Sequence, residues 1–192
     1  VIVSDHGEIL FEQFENKFYK QGPGHTARYS DASIRVPLIL KPARFHDFKK
    51  TPRIQQMVST VDMVPTLLEL LGLPIPEFMP GEPLVAEMRE PGRTATSKKI
   101  FFHEKPYGVQ YTGVRTEHWK FVHKNDKGHE SSLLIDLLND PAESHSSDSS
   151  EKARQLKADL GEWKKGYQSI NYSQNFSKEM RQALKEGGYI RE

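Results

Sequence analysis

Val1-Ile2-Val3-Ser4-Asp5-His6-Gly7-Glu8 is a β-branched triplet that runs straight into an Asp-His pair. Without polar alternation, the triplet predicts a strand buried on both faces, as in a parallel sheet covered by helices. In open α/β sheets, ligands and metals collect at the carboxyl ends of such strands, where Asp5 and His6 fall. The stretch therefore predicts an α/β fold with a site at its very beginning. A chain that opens on a site strand, with no initiator Met, is expected to be the C-terminal part of a larger enzyme. The missing N-terminal half of the same protein is then its first partner.

Working outward, Val36-Pro37-Leu38-Ile39-Leu40 is a second strand candidate, followed by a polar loop at 43–53. Asp62 is a candidate N-cap for a helix through Leu71, with its carboxylate accepting first-turn amide protons. Pro65 fits the first turn, where its missing N–H breaks no intrahelical bond. Val64, Leu67, Leu68 and Leu71 form the expected apolar stripe, and Gly72 is placed to end the helix before Pro74. Residues 72–97, rich in proline and glycine, read as an irregular connector between two lobes.

Beyond the connector the pattern becomes β. Lys99–His103, Val109–Arg115, Trp119–Lys124 and Ser132–Leu138 are short aromatic and β-branched runs separated by turn residues. Their close spacing predicts an antiparallel sheet. A helix is expected from Glu151 to about Lys165, burying Ala153, Leu156, Leu160 and Trp163. The division expected is 1–90 for part of a catalytic α/β domain, 91–170 for a small sheet-plus-helix lobe, and 171–192 for a tail.

Composition narrows the function. A net charge of +1 argues against nucleic acid as a partner, which usually demands a basic excess. No apolar run approaches the roughly 18 residues of a membrane span. The absence of cysteine removes disulfides, zinc-thiolate sites and a Cys nucleophile from this segment. Two sequons, Asn171-Tyr172-Ser173 and Asn175-Phe176-Ser177, permit a glycosylated secretory protein without showing one.

Few residues carry chemistry on their own terms. Asp5 and His6 can share one divalent cation: oxygen donors suit Ca²⁺, Mg²⁺ or Mn²⁺, and the imidazole favours Mn²⁺ or Zn²⁺. Taken alone the pair reads more simply as a solvated turn. His25 sits in the loop Gly22-Pro23-Gly24-His25-Thr26, where it can donate to an anion or protonate a leaving oxygen. Arg35 suits either an anion or an ion pair with Asp31. In 98–124 lysines alternate with aromatics, which suggests a sheet with its aromatics in the core and its lysines in water.

Several ordered segments give a family resemblance. Ser4-Asp5-His6-Gly7-Glu8 resembles the second metal-binding block of the formylglycine-dependent sulfatases, members of the alkaline-phosphatase superfamily. Ile34-Arg35-Val36-Pro37-Leu38-Ile39, Val58 to Leu68, Gly113-Val114-Arg115-Thr116 with Trp119-Lys120-Phe121, and Leu134 to Glu143 resemble later blocks in the same order. Leu184 to Tyr189 resembles a common ending. The resemblance implies the C-terminal part of an alkaline-phosphatase-like mixed sheet with helices, followed by a small antiparallel sheet lobe packed by a C-terminal helix.

It also implies a chemistry: hydrolysis of a sulfate ester on a sulfated carbohydrate, an aryl sulfate or another sulfated small molecule. Asp5 and His6 become ligands of a divalent metal, Ca²⁺ first, with Mg²⁺, Mn²⁺ and Zn²⁺ open. His25, ten residues before Arg35, becomes the catalytic candidate for sulfate contact and leaving-group protonation. The loop before it is longer than the family's. His103 and Lys105, with Glu104 between them, become candidate substrate-binding residues of the small lobe. The formylglycine, made within a Cys/Ser-x-Pro-x-Arg motif, is expected upstream, because this chain contains no such motif. The chain alone is thus expected to be inactive and to fold poorly, its sheet edge being exposed. A periplasmic, secreted or lysosomal location follows from the resemblance. The same metal block also fits a phosphodiesterase, phosphonate hydrolase or phosphoethanolamine transferase of the superfamily. A non-catalytic carbohydrate-binding module is the alternative outside enzymes.

Overall fold

A computed structural model of the chain describes residues 1–9, 29–42, 48, 53–77, 79–90, 98–105, 108–166 and 182. Val1–Leu160 form one unit and Gly161–Glu192 a second. In chain order the elements are β1 (Ile2–Val3), α1 (Asp31–Ile34), β2 (Leu38–Ile39), α2 (Met63–Leu70), α3 (Val85–Arg89), β3 (Ile100–Glu104), β4 (Gln110–Arg115), β5 (Trp119–Asp126), β6 (His129–Asp136) and α4 (Ser150–Gly166).

The four aromatic runs form the expected sheet, a meander in the order β3-β4-β5-β6 with every pair antiparallel. Its tightest joint is the two-residue turn between β5 and β6. Lys127 and Gly128 both have positive φ, 51° and 96°, the backbone a type I′ hairpin turn requires. Val114, Phe121, Leu134 and Ile135 are buried in this sheet, and Leu156 and Leu160 on the inner face of α4. An ion pair from Lys99 to Asp159, 2.8 Å long, ties α4 to the residue before β3.

The first strand departs from the expected pattern. β1 pairs antiparallel with β2, Ile2 opposite Ile39 and Val3 opposite Leu38. It is not buried on both faces, for Ile2 is 64% and Ile39 57% exposed. The β-branched composition produced a strand, but strand composition alone does not choose the partner or its direction.

The helix at 62–71 also begins differently. A 3₁₀ turn, Thr60–Asp62, precedes α2, and Asp62 makes no cap bond to α2. Its carboxylate instead reaches back to the Ser59 N–H at 2.8 Å, half of a capping box. The same carboxylate accepts from Glu82 N at 3.0 Å and Lys98 Nζ at 2.7 Å. Three donors explain how Asp62 is 1% exposed without penalty. The buried face is Pro65, Thr66 and Leu70, whereas Val64 and Leu71 are exposed. The shift has a cause: Thr66 Oγ1 donates to Asp62 O and accepts from Leu84 N at 3.0 Å, turning this face toward α3. Within the connector, α3 itself was not expected; Val85 and Met88 bury one side of it.

Candidate metal and substrate site

Asp5 and His6 occupy a bend directly after β1. Ser4 Oγ donates to His6 O at 2.5 Å, and His6 N–H donates to Asp5 Oδ1 at 3.0 Å. His6 Nδ1 lies 2.9 Å from Gly7 O. A carbonyl can only accept, so Nδ1 carries the proton, and in the neutral ring the lone pair sits on Nε2. Nε2 lies 3.8 Å from Asp5 Oδ2. The bond to the Gly7 carbonyl raises the His6 pKa above its ordinary value, partial desolvation opposes that, and the Asp5 and Glu8 charges add to it.

These two donors fit a shared cation. Ligand bonds of about 2–2.5 Å around one ion place neighbouring donor atoms about 3–3.5 Å apart, close to the distance seen here. Asp5 is 88% and His6 47% exposed on its side chain, so both are accessible to an ion. Among the described residues, no cluster of three His, Cys, Asp or Glu side chains completes a metal site.

Gly7 sets where this bend lies. Its N–H donates to Ser33 O at 2.7 Å, so the bend is pinned to α1. An added Cβ at Gly7 would stand 1.9 Å from Ala32 O, a distance no side chain can occupy. Only glycine allows this close approach.

A cavity of about 880 Å³ opens beside the pair. Asp5 and His6 line it together with Arg35, Arg53, His103 and Glu104. His103, on β3, is thus brought to the same space as the expected metal ligands. Lys105, one residue past β3, does not line it. His25 lies outside the described residues. Arg53 was not singled out from the sequence, where a lone basic residue in a polar loop gives no signal.

Asp31, Arg115, Lys120 and Glu143 form a charge cluster, of which Arg115 also lines the cavity. In the β4–β5 register Arg115 faces Lys120, and two cations directly opposite each other repel. Arg115 forms a two-pronged contact with Asp31, Nε to Oδ1 at 3.1 Å and Nη2 to Oδ2 at 2.7 Å. Lys120 Nζ pairs with Asp31 Oδ1 at 2.7 Å, donates to Tyr29 O at 2.9 Å, and also pairs with Glu143. Lys120 is 0% exposed, so the expectation that the sheet's lysines face water fails at this position. Arg35 is no more than a loose partner of Asp31, 3.9 Å away and itself 73% exposed. Burial pushes the Asp31 carboxyl up, but the Arg115 and Lys120 cations outweigh it and hold the group well below the usual carboxylate range. Burial, with the Tyr111 and Glu143 charges, pushes the Tyr29 phenol up to about 12.

Glu143 reaches this cluster through a turn whose residues are fixed by short polar bonds. Asp136 Oδ1 accepts from Leu138 N and Asn139 N. Asp140 in turn accepts from Ser144 Oγ at 2.9 Å and His145 N at 2.8 Å. Glu143 itself adopts φ 57°, a left-handed backbone rare for this residue type, and is fully buried.

Comparison with known proteins follows the same course. A family model described as N-sulphoglucosamine sulphohydrolase, C-terminal, matches residues 27–169. Arylsulfatase K of Homo sapiens is 29% identical over 148 residues, which cover 73% of this chain and 26% of that protein. An ulvan-active sulfatase of Formosa agariphila is 27% identical over 146 residues, 73% of this chain and 27% of that one. The chain thus spans about a quarter of the length of the curated relatives it matches. Among solved structures, a protein in complex with its substrate D-glucosamine-2-N,6-O-disulfate superposes with a TM-score of 0.64 at 21% identity, over 88% of this chain and 34% of that one. A 2-O GAG sulfatase superposes with a TM-score of 0.61 at 21% identity, over 92% of this chain and 38% of that one. At this identity the superpositions establish the fold alone, a mixed α/β architecture of the alkaline-phosphatase-like type.

Proposed function

The chain belongs to the family of N-sulphoglucosamine sulphohydrolase C-terminal regions, and from that membership we propose that the protein carrying it hydrolyses sulfate esters or sulfamates of a sulfated carbohydrate. The observation that carries the reading is the Asp5–His6 pair at the end of β1, its imidazole tautomer fixed by Gly7 O and its side chains open to the cavity.

Asp5 and His6 would hold a divalent cation, with Ca²⁺ our first choice. Bound there, the metal supplies positive charge against the sulfate oxygens. Asp5 contributes a carboxylate oxygen and His6 its Nε2, while the Nδ1–H···O bond to Gly7 keeps the ring from turning. His103 meets substrate from the opposite lobe, since it lines the same cavity. His25 is our candidate for holding the sulfate and giving a proton to the departing oxygen, a role supported by the resemblance of its segment alone. The nucleophile must come from outside this sequence, which has neither cysteine nor the Cys/Ser-x-Pro-x-Arg motif. The chain by itself is accordingly inactive. A secreted or lysosomal-type location accords with the relatives, and no described helix is long and apolar enough to cross a membrane.

The test is release of inorganic sulfate by the protein that carries this chain. The panel is N- and O-sulfated glucosamine, a sulfated uronic acid, an aryl sulfate and ulvan, with phosphate diesters assayed in parallel. The expected result is sulfate release from a carbohydrate substrate that a chelator stops and added divalent metal restores. Hydrolysis of a phosphate diester without any sulfate release would overturn the reading and favour the phosphodiesterase branch of the superfamily.

A further inference from the structure

The geometry points to Glu143, with Lys120 as its buried counter-ion, as a positioning residue for the Asp5–His6 pair, an inference that rests on the metal-ligand reading above. Neither residue touches the site. They act through α1, a single turn of four residues, Asp31–Ile34. A helix that short has no stability of its own, so its place is set by what holds it.

Its holder is the small lobe. Glu143 accepts the Asp31 N–H with both oxygens, at 3.1 Å and 3.2 Å. Lys120 neutralises Glu143 and grips the Asp31 side chain at 2.7 Å and the Tyr29 carbonyl at 2.9 Å. The residues on either side of this contact are buried as well: Ser30 is 0% and Ser33 5% exposed. At the far end of the turn, Ser33 O accepts from Gly7 N at 2.7 Å. Gly7 O then fixes His6 Nδ1 at 2.9 Å. Three links, Glu143 to Asp31 N, Ser33 O to Gly7 N and Gly7 O to His6 Nδ1, thus connect Glu143 to the imidazole through α1. The missing Cβ of Gly7 leaves no slack between the bend and α1. A shift of α1 must therefore move the bend, and with it the spacing between Asp5 Oδ2 and His6 Nε2. Displacing the groups that orient a metal ligand commonly costs about tenfold to a hundredfold in affinity.

The test separates this tether from charge alone. Two double variants are made in the protein that carries the chain. Lys120→Met with Glu143→Gln removes both charges but keeps an oxygen that can accept the Asp31 N–H. Lys120→Met with Glu143→Leu removes the acceptor as well. Removing a buried pair together leaves no unpaired charge, the kind of change folded proteins tolerate. Folding is checked by circular dichroism, and Ca²⁺ affinity is measured by calorimetry well below the unfolding midpoint. The Gln variant is expected to bind Ca²⁺ within about threefold of the parent, and the Leu variant about tenfold or more weakly. Gly7→Ala should weaken binding similarly, and adding it to the Leu variant should cost little more, because both break one path. Equal affinity in the Gln and Leu variants overturns the positioning role. Asp5→Asn serves as the reference: if it leaves Ca²⁺ binding unchanged, the metal-ligand reading itself fails. If it abolishes binding while the Leu variant binds like the parent, the positioning inference alone fails.

Discussion

The small lobe and the β1 edge handle polar groups in opposite ways. In the lobe, Lys120 and Glu143 are fully buried and Arg115 nearly so, with Asp31 completing the cluster. At the edge, Asp5 and His6 stand largely in water at the end of a two-residue strand. Buried charges constrain geometry because leaving any one of them unpaired is expensive. Exposed charges constrain little, yet they remain available to a ligand. Buried, paired charges and exposed donors are thus separated in this chain and joined through α1.

The largest effect should come from breaking the buried cluster on one side only. Lys120→Ala leaves the buried Glu143 carboxylate without its cation, while Arg115 still holds Asp31, and should cost about 3–5 kcal/mol in denaturant unfolding. A loss under 1 kcal/mol would mean the cluster is solvated in solution, and the comparison would collapse. Next is Leu156→Ala on α4, where a 2%-exposed side chain leaves a cavity. It should cost about 2–4 kcal/mol without altering Ca²⁺ affinity, since α4 takes no part in the path to Gly7. Loss of metal binding in this variant would show that general destabilisation, not the Asp31 tether, governs the site.

A smaller effect is expected with pH. Asp31 is held below its ordinary range, so its contribution to stability is fully present above the unfolded value of about 4 and is lost as pH falls through the folded value. Unfolding followed from pH 7 to pH 3 should show parent and Asp31→Asn far apart down to about pH 4 and converging below it. A constant gap across that range would remove Asp31 from the acid response.

Much of this was legible in the sequence, and the rest was hidden for identifiable reasons. Short strand-forming runs such as Val109–Arg115 and Ser132–Leu138 announced the sheet, where the corresponding strands are Gln110–Arg115 and His129–Asp136, because strand composition is a local property. The bend that Asp5 and His6 share after β1 was legible for the same reason, the two being adjacent in the chain. Lys120 was not. Its burial depends on Glu143, 23 residues later, and Asp31, 89 residues earlier, and no local pattern encodes that meeting. The role of Asp62 was missed on a smaller scale: its type suited an N-cap, but Ser59 took that place and made it the third residue of the turn. β1 was read correctly as a strand and wrongly as doubly buried, since pairing direction and cover come from outside the strand.

We propose that Asp5 and His6 bind a metal while the small lobe supplies the rigidity. The most direct test is Ca²⁺ calorimetry on Asp5→Asn and His6→Ala in the protein that carries this chain, with the unfolding midpoint recorded beside each titration. Each substitution is expected to weaken Ca²⁺ binding by about tenfold or more and to leave the metal-free midpoint unchanged. Binding equal to the parent in both variants, whatever their midpoints, would contradict the proposal.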